Sequence, residues 1–173
     1  MEVLASLLES KALADFVGHY SWIWPICEML HFVGLTLLIG TIGMLDLRVL
    51  GVARALPLAP LQRLVPWGIF GFVLCLITGI VFVSGDPFKE PIVNLEKVAF
   101  QLKMLFVLIG GINALAFYYL PSLRGLFENL GAGDNAPAAA KAVATTSLVI
   151  WFGVIYLGRM LPYGDAFYFV FYW

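Results

Sequence analysis

Charged residues are scarce in this sequence. Asp, Glu, Lys and Arg make up 12% of the 173 residues, whereas 62% are hydrophobic and the mean hydropathy is +0.95. A soluble domain has about 25% charged and about 45–50% apolar residues. A water-facing surface cannot be built from this composition, so we expect an all-α, polytopic membrane protein.

Cysteine and histidine are also rare, with two of each. Cys27 and Cys75 both lie in apolar runs, which is typical of buried thiols and excludes the disulfide framework of a small secreted protein. The formal net charge of −1 and the lack of a Lys/Arg cluster exclude a general nucleic-acid binder. The sequence contains no phosphate-binding loop, no HExxH motif and no nucleophile–base arrangement, so we expect a non-enzymatic protein.

Four apolar segments are long enough to cross a bilayer, which takes about 20 residues. They cover about residues 24–45, 64–84, 98–120 and 140–161. We expect residues 1–173 to form one membrane domain, a four-transmembrane-helix bundle. In the preceding segment 2–17, apolar residues recur at helical spacing and acidic residues lie elsewhere. This pattern predicts an amphipathic helix in the membrane interface rather than a signal peptide.

Basic residues near the span ends indicate the orientation of the bundle. One side has five of them, namely Arg48, Arg54, Arg63, Arg124 and Lys141, and the other has four, namely Lys11, Lys89, Lys97 and Arg159. This small excess predicts that both termini are periplasmic.

Small residues mark the faces through which the spans are expected to pack, because lipid supplies no hydrophobic drive for helix association. The first span has Cys27, His31, Gly34 and Thr41 on one face, and the second has Gly68, Gly71, Cys75, Thr78 and Gly79. In the third span, Gly110 and Ala114 share an arc with Lys103. We therefore expect Lys103 to point towards the neighbouring helices.

Four ionisable residues are expected in the outer half of the bundle, namely Glu28, His31, Lys103 and Arg159. An ionisable group at mid-bilayer costs about 2.5–3.5 kcal/mol, so each one needs a partner, water or a function. Two interpretations are open. Glu28 and Lys103 could form an interhelical ion pair with His31 hydrogen-bonded beside it, or the layer could be a ligand, ion or proton site open to the outer face.

A metal or haem site is a further interpretation of the same region. Cys27, Glu28 and His31 lie within one and a half helical turns, where a thiol and an imidazole would suit copper or zinc. A haem in a bundle takes two axial side chains from facing helices. His19 and His31 are about 18 Å apart on a continuous helix, so they could flank one iron only if Gly18 and Pro25 let the chain fold back.

A second polar layer is expected near the cytoplasmic side and is interpreted as structural. It consists of Asp46, Arg48, Arg63 and Asn113. Asp46 and Arg48 are two residues apart on a helix and so do not face one another, which predicts partners on other elements.

The C-terminal segment 162–173 is strongly aromatic. Its aromatic residues are too few to span a bilayer, and they are Phe167, Tyr168, Phe169, Phe171, Tyr172 and Trp173. They are typical of an aromatic belt at the interface and of a docking tail for a partner subunit.

The stretch HFVGLTLLIGTIGMLDLRVLG, followed by FQLKMLFVLIGGINALAFYYLP, resembles an uncharacterised family of small bacterial inner-membrane proteins. The resemblance covers about residues 22–121 and includes the WPICEMLH entry, the DLRVLG exit and the Thr78–Gly79 pair. More distantly, the layout is similar to copper-resistance D proteins and four-helix b-type cytochromes. The resemblance implies a bacterial inner-membrane location, and the distant comparisons imply copper handling or haem electron transfer.

The leading functional hypothesis is an accessory subunit of a respiratory or redox membrane complex, with the lipid bilayer and other membrane subunits or further copies of the chain as partners. One alternative is a copper- or haem b-binding membrane protein with His31 as ligand. A second alternative is a proton or small-solute conduit that uses Glu28 and His31 as relay groups, since histidine titrates near neutral pH.

Overall fold

A computed structural model describes residues 2–119 and 130–163. Helices are the regular elements of these residues, and we number them α1 to α8 in chain order: α1 Glu2–Leu8, α2 Lys11–His19, α3 Ile23–Leu50, α4 Leu58–Gln62, α5 Val65–Ser84, α6 Pro91–Leu95, α7 Val98–Tyr119 and α8 Ala138–Met160. The expectation of an all-α fold is therefore confirmed for the described part of the chain.

Three helical segments are long and apolar enough to cross a membrane by length and composition, namely Ile23–Leu50, Leu58–Ser84 and Ala138–Tyr163. They contain the first, second and fourth predicted spans. The third predicted span is also a helix, α7, but its described apolar part, Val98–Ala114, is shorter. These features, with large exposed side chains such as Phe32 and Ile69 along the helices, fit a multi-pass membrane protein.

The N-terminal segment forms two short helices where the sequence predicts one over residues 2–17. The break lies at Ser10, whose hydroxyl accepts a hydrogen bond from the backbone N–H of Leu13 at 3.3 Å and caps α2. Such a side-chain cap satisfies one of the free N–H groups of the first turn. The local hydrogen bond therefore starts a new helix inside the apolar pattern.

The longest helix, α3, ends at Gly51. This residue has φ 97°, and its N–H bonds back to the carbonyls of Arg48 and Leu47. Glycine takes this left-handed conformation without a Cβ clash, so it closes the helix and turns the chain towards α4.

The tightest packing joins α3 to α5 through glycine. A Cβ atom built on Gly34 would lie 2.8 Å from the Gly71 carbonyl oxygen, and one on Gly68 would lie 3.2 Å from Cβ of Thr41. The two backbones approach closely because these positions lack side chains, as is typical of helix contacts in membranes. The small-residue faces predicted for the first two spans thus meet at Gly34 and Gly71.

The four long helices form a row in the order α5, α3, α8 and α7. α3 packs against α5 on one side and α8 on the other, and α8 packs against α7. A buried cluster of Leu38, Trp151 and Val154 holds the middle of this row together, with Phe72 and Phe106 against it. Within the described residues, α5 and α7 have almost no direct contact. A gap therefore remains between α5 and α7 on one side of the bundle.

Candidate functional site

His31 is held in the interface between α3 and α5. Its Nδ1 atom lies 2.7 Å from the Thr78 hydroxyl, which donates its own hydrogen to the Leu74 carbonyl at 2.8 Å. The hydroxyl is then the acceptor, and Nδ1 of His31 carries the hydrogen. The ring also packs against Phe82, with centroids 5.4 Å apart. His31 is therefore fixed by side chains of the neighbouring helix.

Lys103 reaches from α7 to the same region. Its side chain lies near His31 and Cys75, and a Cβ atom on Gly158 would lie 3.5 Å from its Nζ. The Cys75 thiol donates to the His31 carbonyl at 3.5 Å. We call His31, Cys75, Thr78 and Lys103 the outer cluster, and its members come from three different helices.

Glu28 and Arg159 lie outside the outer cluster, although the sequence places them in the same layer. Glu28 is exposed, and its carboxylate accepts a hydrogen bond from Nε1 of Trp24 at 3.0 Å. Arg159 is exposed and donates to the Tyr163 hydroxyl at 3.1 Å. Of the four predicted residues, the structure brings His31 and Lys103 together, and each of the other two bonds to an aromatic residue nearby in sequence.

The residues considered for a metal site do not converge. Across residues 2–119 and 130–163, no group of three His, Cys, Asp or Glu side chains is arranged to hold a metal ion. Cys27 is half-buried, Glu28 bonds to Trp24, and Nδ1 of His31 bonds to Thr78. In the described part of the chain, the geometry thus offers a metal ion no shared set of three His, Cys, Asp or Glu ligands.

Arg48 has a structural position in the polar layer that the sequence predicts for the cytoplasmic side. It is fully buried, and its guanidinium donates to the carbonyls of Leu56, Gly131 and Asp134, the last two at 2.6 and 3.3 Å. These carbonyls belong to the loop after α3 and the loop before α8. Arg48 therefore ties two distant loops to the end of α3.

A cavity of about 470 Å³ lies beside this anchor, between α5 and α7 and against α3 and α8. Its walls are mostly apolar, but five polar side chains line it, namely Thr41, Asp46, Gln62, Asn113 and Ser147. We call this space the bundle cavity. Of the predicted cytoplasmic layer, Asp46 and Asn113 line it, while Arg63 is exposed.

Asp46 is the most unusual residue of the bundle cavity. Its Oδ2 atom is buried and has no hydrogen-bond partner within the described residues. Ser147 on α8 lies close enough to interact with the carboxylate. A buried polar atom without a partner costs free energy, so the unpaired oxygen points to a missing donor.

Sequence reasoning missed Gln62 and Ser147 as members of this site. Ser147 shares one face of α8 with the buried residues Ala140, Ala144 and Trp151, at spacings of four, three and four residues. Such spacing identifies a buried helix face, so a polar residue within it was a detectable signal. Gln62 ends the short helix α4 and had no comparable pattern.

The aromatic residues from Phe167 to Trp173 lie outside the described residues, so the docking-tail hypothesis stays a prediction. Comparison of the chain with protein-family models, curated proteins and solved structures gives no match.

Proposed function

We propose that the chain is a four-span protein of the bacterial inner membrane that binds a small solute in the bundle cavity. In this proposal α7 is the third span, α1 and α2 lie in the membrane interface, and both termini are periplasmic. Exposed apolar side chains on α1 and α2, such as Leu7 and Phe16, support the interfacial position.

The unpaired Oδ2 atom of Asp46 is the observation on which the proposal rests. Asp46 lines a space of about 470 Å³, a size typical of small-molecule sites, together with Asn113 and Ser147. An ionisable group inside a span is costly unless it has a partner or a function. A bound solute that donates a hydrogen bond would remove this cost.

The position of the bundle cavity favours a binding site over an open conduit. His31 and Asp46 are about 22 Å apart along α3. Between these depths, the buried side chains of Leu38, Trp151 and Val154 pack against Phe72. This apolar layer separates the outer cluster from the bundle cavity, so the described residues offer no continuous polar path.

Native mass spectrometry of the protein extracted with its own lipids tests this proposal. Gly111 lines the bundle cavity, and a Cβ atom added to it would meet nothing within 4 Å, so Gly111→Leu should fill the site. Gly43→Leu is the matched control, because a Cβ there also meets nothing within 4 Å but the residue is not part of the cavity wall.

We expect the wild type and Gly43→Leu to retain a bound small molecule that Gly111→Leu loses. A wild-type protein with no bound mass, or a mass retained equally by Gly111→Leu, would contradict the proposal.

An accessory-subunit function is a second candidate, favoured by a groove on the exposed face of α3. The groove has a volume of about 550 Å³ and is lined by Pro25, Glu28, Met29, Phe32, Val33, Thr36 and Leu37. A carboxylate beside exposed apolar side chains suits a partner helix that carries a hydrogen-bond donor at the same depth.

Native gels of membranes solubilised in mild detergent test this second candidate. Phe32→Ala should release the chain from a larger assembly, whereas Phe152→Ala should not, because Phe152 is similarly exposed but lies on α8. An assembly of unchanged size in the Phe32→Ala variant would contradict an interface at this groove.

A further inference from the structure

We infer that the solute of the bundle cavity is an amphipathic amine that enters sideways from the bilayer, between α5 and α7. This inference rests on the proposed binding function and names the chemical class of the ligand. It combines three features of the site, namely its mouth, its polarity and its unpaired acceptor.

The mouth of the bundle cavity lies between two helices that scarcely touch. Ile69 on α5 and Ala114 on α7 both line the cavity, and both are exposed. A side chain can line an internal space and also face outward only at an opening. Because α5 and α7 are the outer helices of the row, an opening between them would face lipid in the proposed membrane arrangement.

The walls of the bundle cavity are mostly apolar, with a few polar side chains among them. On α3, the cavity wall runs from Leu38 to Val49, and Asp46 lies about 12 Å from Leu38 along the helix axis. Phe72 and Trp151 surround Leu38, whereas Gln62 ends α4, near the same end of the bundle as Asp46.

A mostly apolar wall with one unpaired acceptor suits an amphiphile. Its polar head would lie near the end of the spans beside Asp46, and its apolar body would extend towards mid-membrane. A ligand that is polar throughout would leave the apolar part of the cavity without a complementary surface.

The charge of the head follows from the residues around Asp46. The carboxylate has an unpaired oxygen, and the guanidinium of the nearby Arg48 donates to loop carbonyls instead. Arg63 is exposed and does not line the cavity. An ammonium head would supply the missing donor, and charge-assisted hydrogen bonds are the stronger kind.

Photo-crosslinking in lipid nanodiscs tests the inference. The probes are an octylamine and an octanol that carry the same diazirine in the alkyl chain, with labelled peptides mapped by mass spectrometry. Asp46→Asn keeps the shape of the side chain and removes its charge. Size-exclusion and thermal-unfolding profiles check that this variant remains folded.

We expect the amine probe to label peptides of α5, α7 and α8 at the cavity wall, with saturation and with competition by unlabelled octylamine. Asp46→Asn should lower this labelling at least about tenfold, because a hydrogen bond to a charged group is lost. The alcohol probe should label the wild type and Asp46→Asn equally and weakly.

A second pair of variants tests the lateral entry. Ala114→Trp should block the mouth, whereas Ile112→Trp places the same ring on the exposed surface of α7 away from the cavity wall. Amine labelling should fall in the first variant and stay unchanged in the second. Equal labelling in both would overturn entry between α5 and α7.

The outcomes separate this inference from the proposed function. Saturable labelling by the alcohol that equals labelling by the amine would overturn the amine class while leaving a solute-binding cavity. Labelling by neither probe, in a protein that retains a co-purified small molecule, would likewise overturn only the ligand class. Labelling by neither probe and no co-purified molecule would overturn both.

Discussion

The outer cluster and the bundle cavity are both polar regions inside one helical row, but their side chains are in opposite situations. In the outer cluster, His31 and Thr78 bond to each other and Lys103 lies against α8. In the bundle cavity, Asp46 has an unpaired oxygen beside about 470 Å³ of space. The comparison shows that a polar residue in a span can hold helices together in one place and lack a protein partner in another.

The strongest test of this contrast compares two glycines of α5. A Cβ atom on Gly71 would lie 2.9 Å from the backbone nitrogen of Leu38, whereas one on Gly79 would meet nothing within 4 Å. Gly71→Ala should therefore lower the free energy of unfolding by about 3 kcal/mol, because backbone must move to relieve the clash. Gly79→Ala should be neutral or stabilising by up to about 1 kcal/mol.

Thermal or denaturant unfolding in detergent measures both changes. If Gly71→Ala is as stable as Gly79→Ala, the close contact between α3 and α5 is wrong.

The next largest effect is expected for the Thr78 hydroxyl of the outer cluster. Thr78→Val removes the partner of Nδ1 of His31 while keeping the shape of the side chain. Leaving that buried donor unpaired should destabilise the protein by about 1–3 kcal/mol. Thr36→Val is the control, since Thr36 is exposed and bonds only to the carbonyl of Phe32 in its own helix. Similar losses in the two variants would show that the outer cluster is not a coupled unit.

Replacing Asp46 should change the stability of the protein in the opposite direction from replacing Thr78. Asp46→Leu removes a carboxyl oxygen that has no partner in the described structure and adds apolar volume beside an open cavity. Replacing an unpaired buried polar group should leave stability unchanged or raise it by about 1 kcal/mol, measured by the same unfolding assay. A loss as large as that of Thr78→Val would mean that Asp46 is bonded within the protein.

The smallest effect is expected for the coupling between Glu28 and Lys103. Glu28 is exposed and bonded to Trp24, so Glu28→Gln and Lys103→Met should add within about 0.5 kcal/mol in a double-mutant cycle. Lys103→Met and His31→Phe, by contrast, should show a coupling energy of about 0.5–3 kcal/mol. A larger coupling with Glu28 than with His31 would restore the interhelical ion pair that the sequence suggests.

The long helices could be predicted from sequence because their signal is local. Apolar runs identified the segments of α3, α5 and α8, and glycine spacing identified the face through Gly34 and Gly71. The break at Ser10 was missed because a single side-chain hydrogen bond overrides the apolar pattern there.

The site was only partly predictable because it depends on how separate helices pack. Spacing places Glu28 and His31 one turn apart, but the packing of α5 alone decides that His31 meets Thr78 while Glu28 stays exposed. The bundle cavity arises beside Gly111 and Ala114 of α7, where the facing residues of the neighbouring helices leave space unfilled. No residue pattern within a single segment of the sequence predicts such a cavity.

Fluorine NMR of protein labelled with 5-fluorotryptophan in nanodiscs tests the central claim most directly. Of the five tryptophans, Trp151 lines the bundle cavity, while Trp67 is exposed on the outer surface of α5. On titration with octylamine, the Trp151 resonance should shift saturably, the Trp67 resonance should show no saturable shift, and Asp46→Asn should abolish the Trp151 response. A Trp151 resonance that does not move, or that moves equally in Asp46→Asn, would contradict a ligand site built on Asp46.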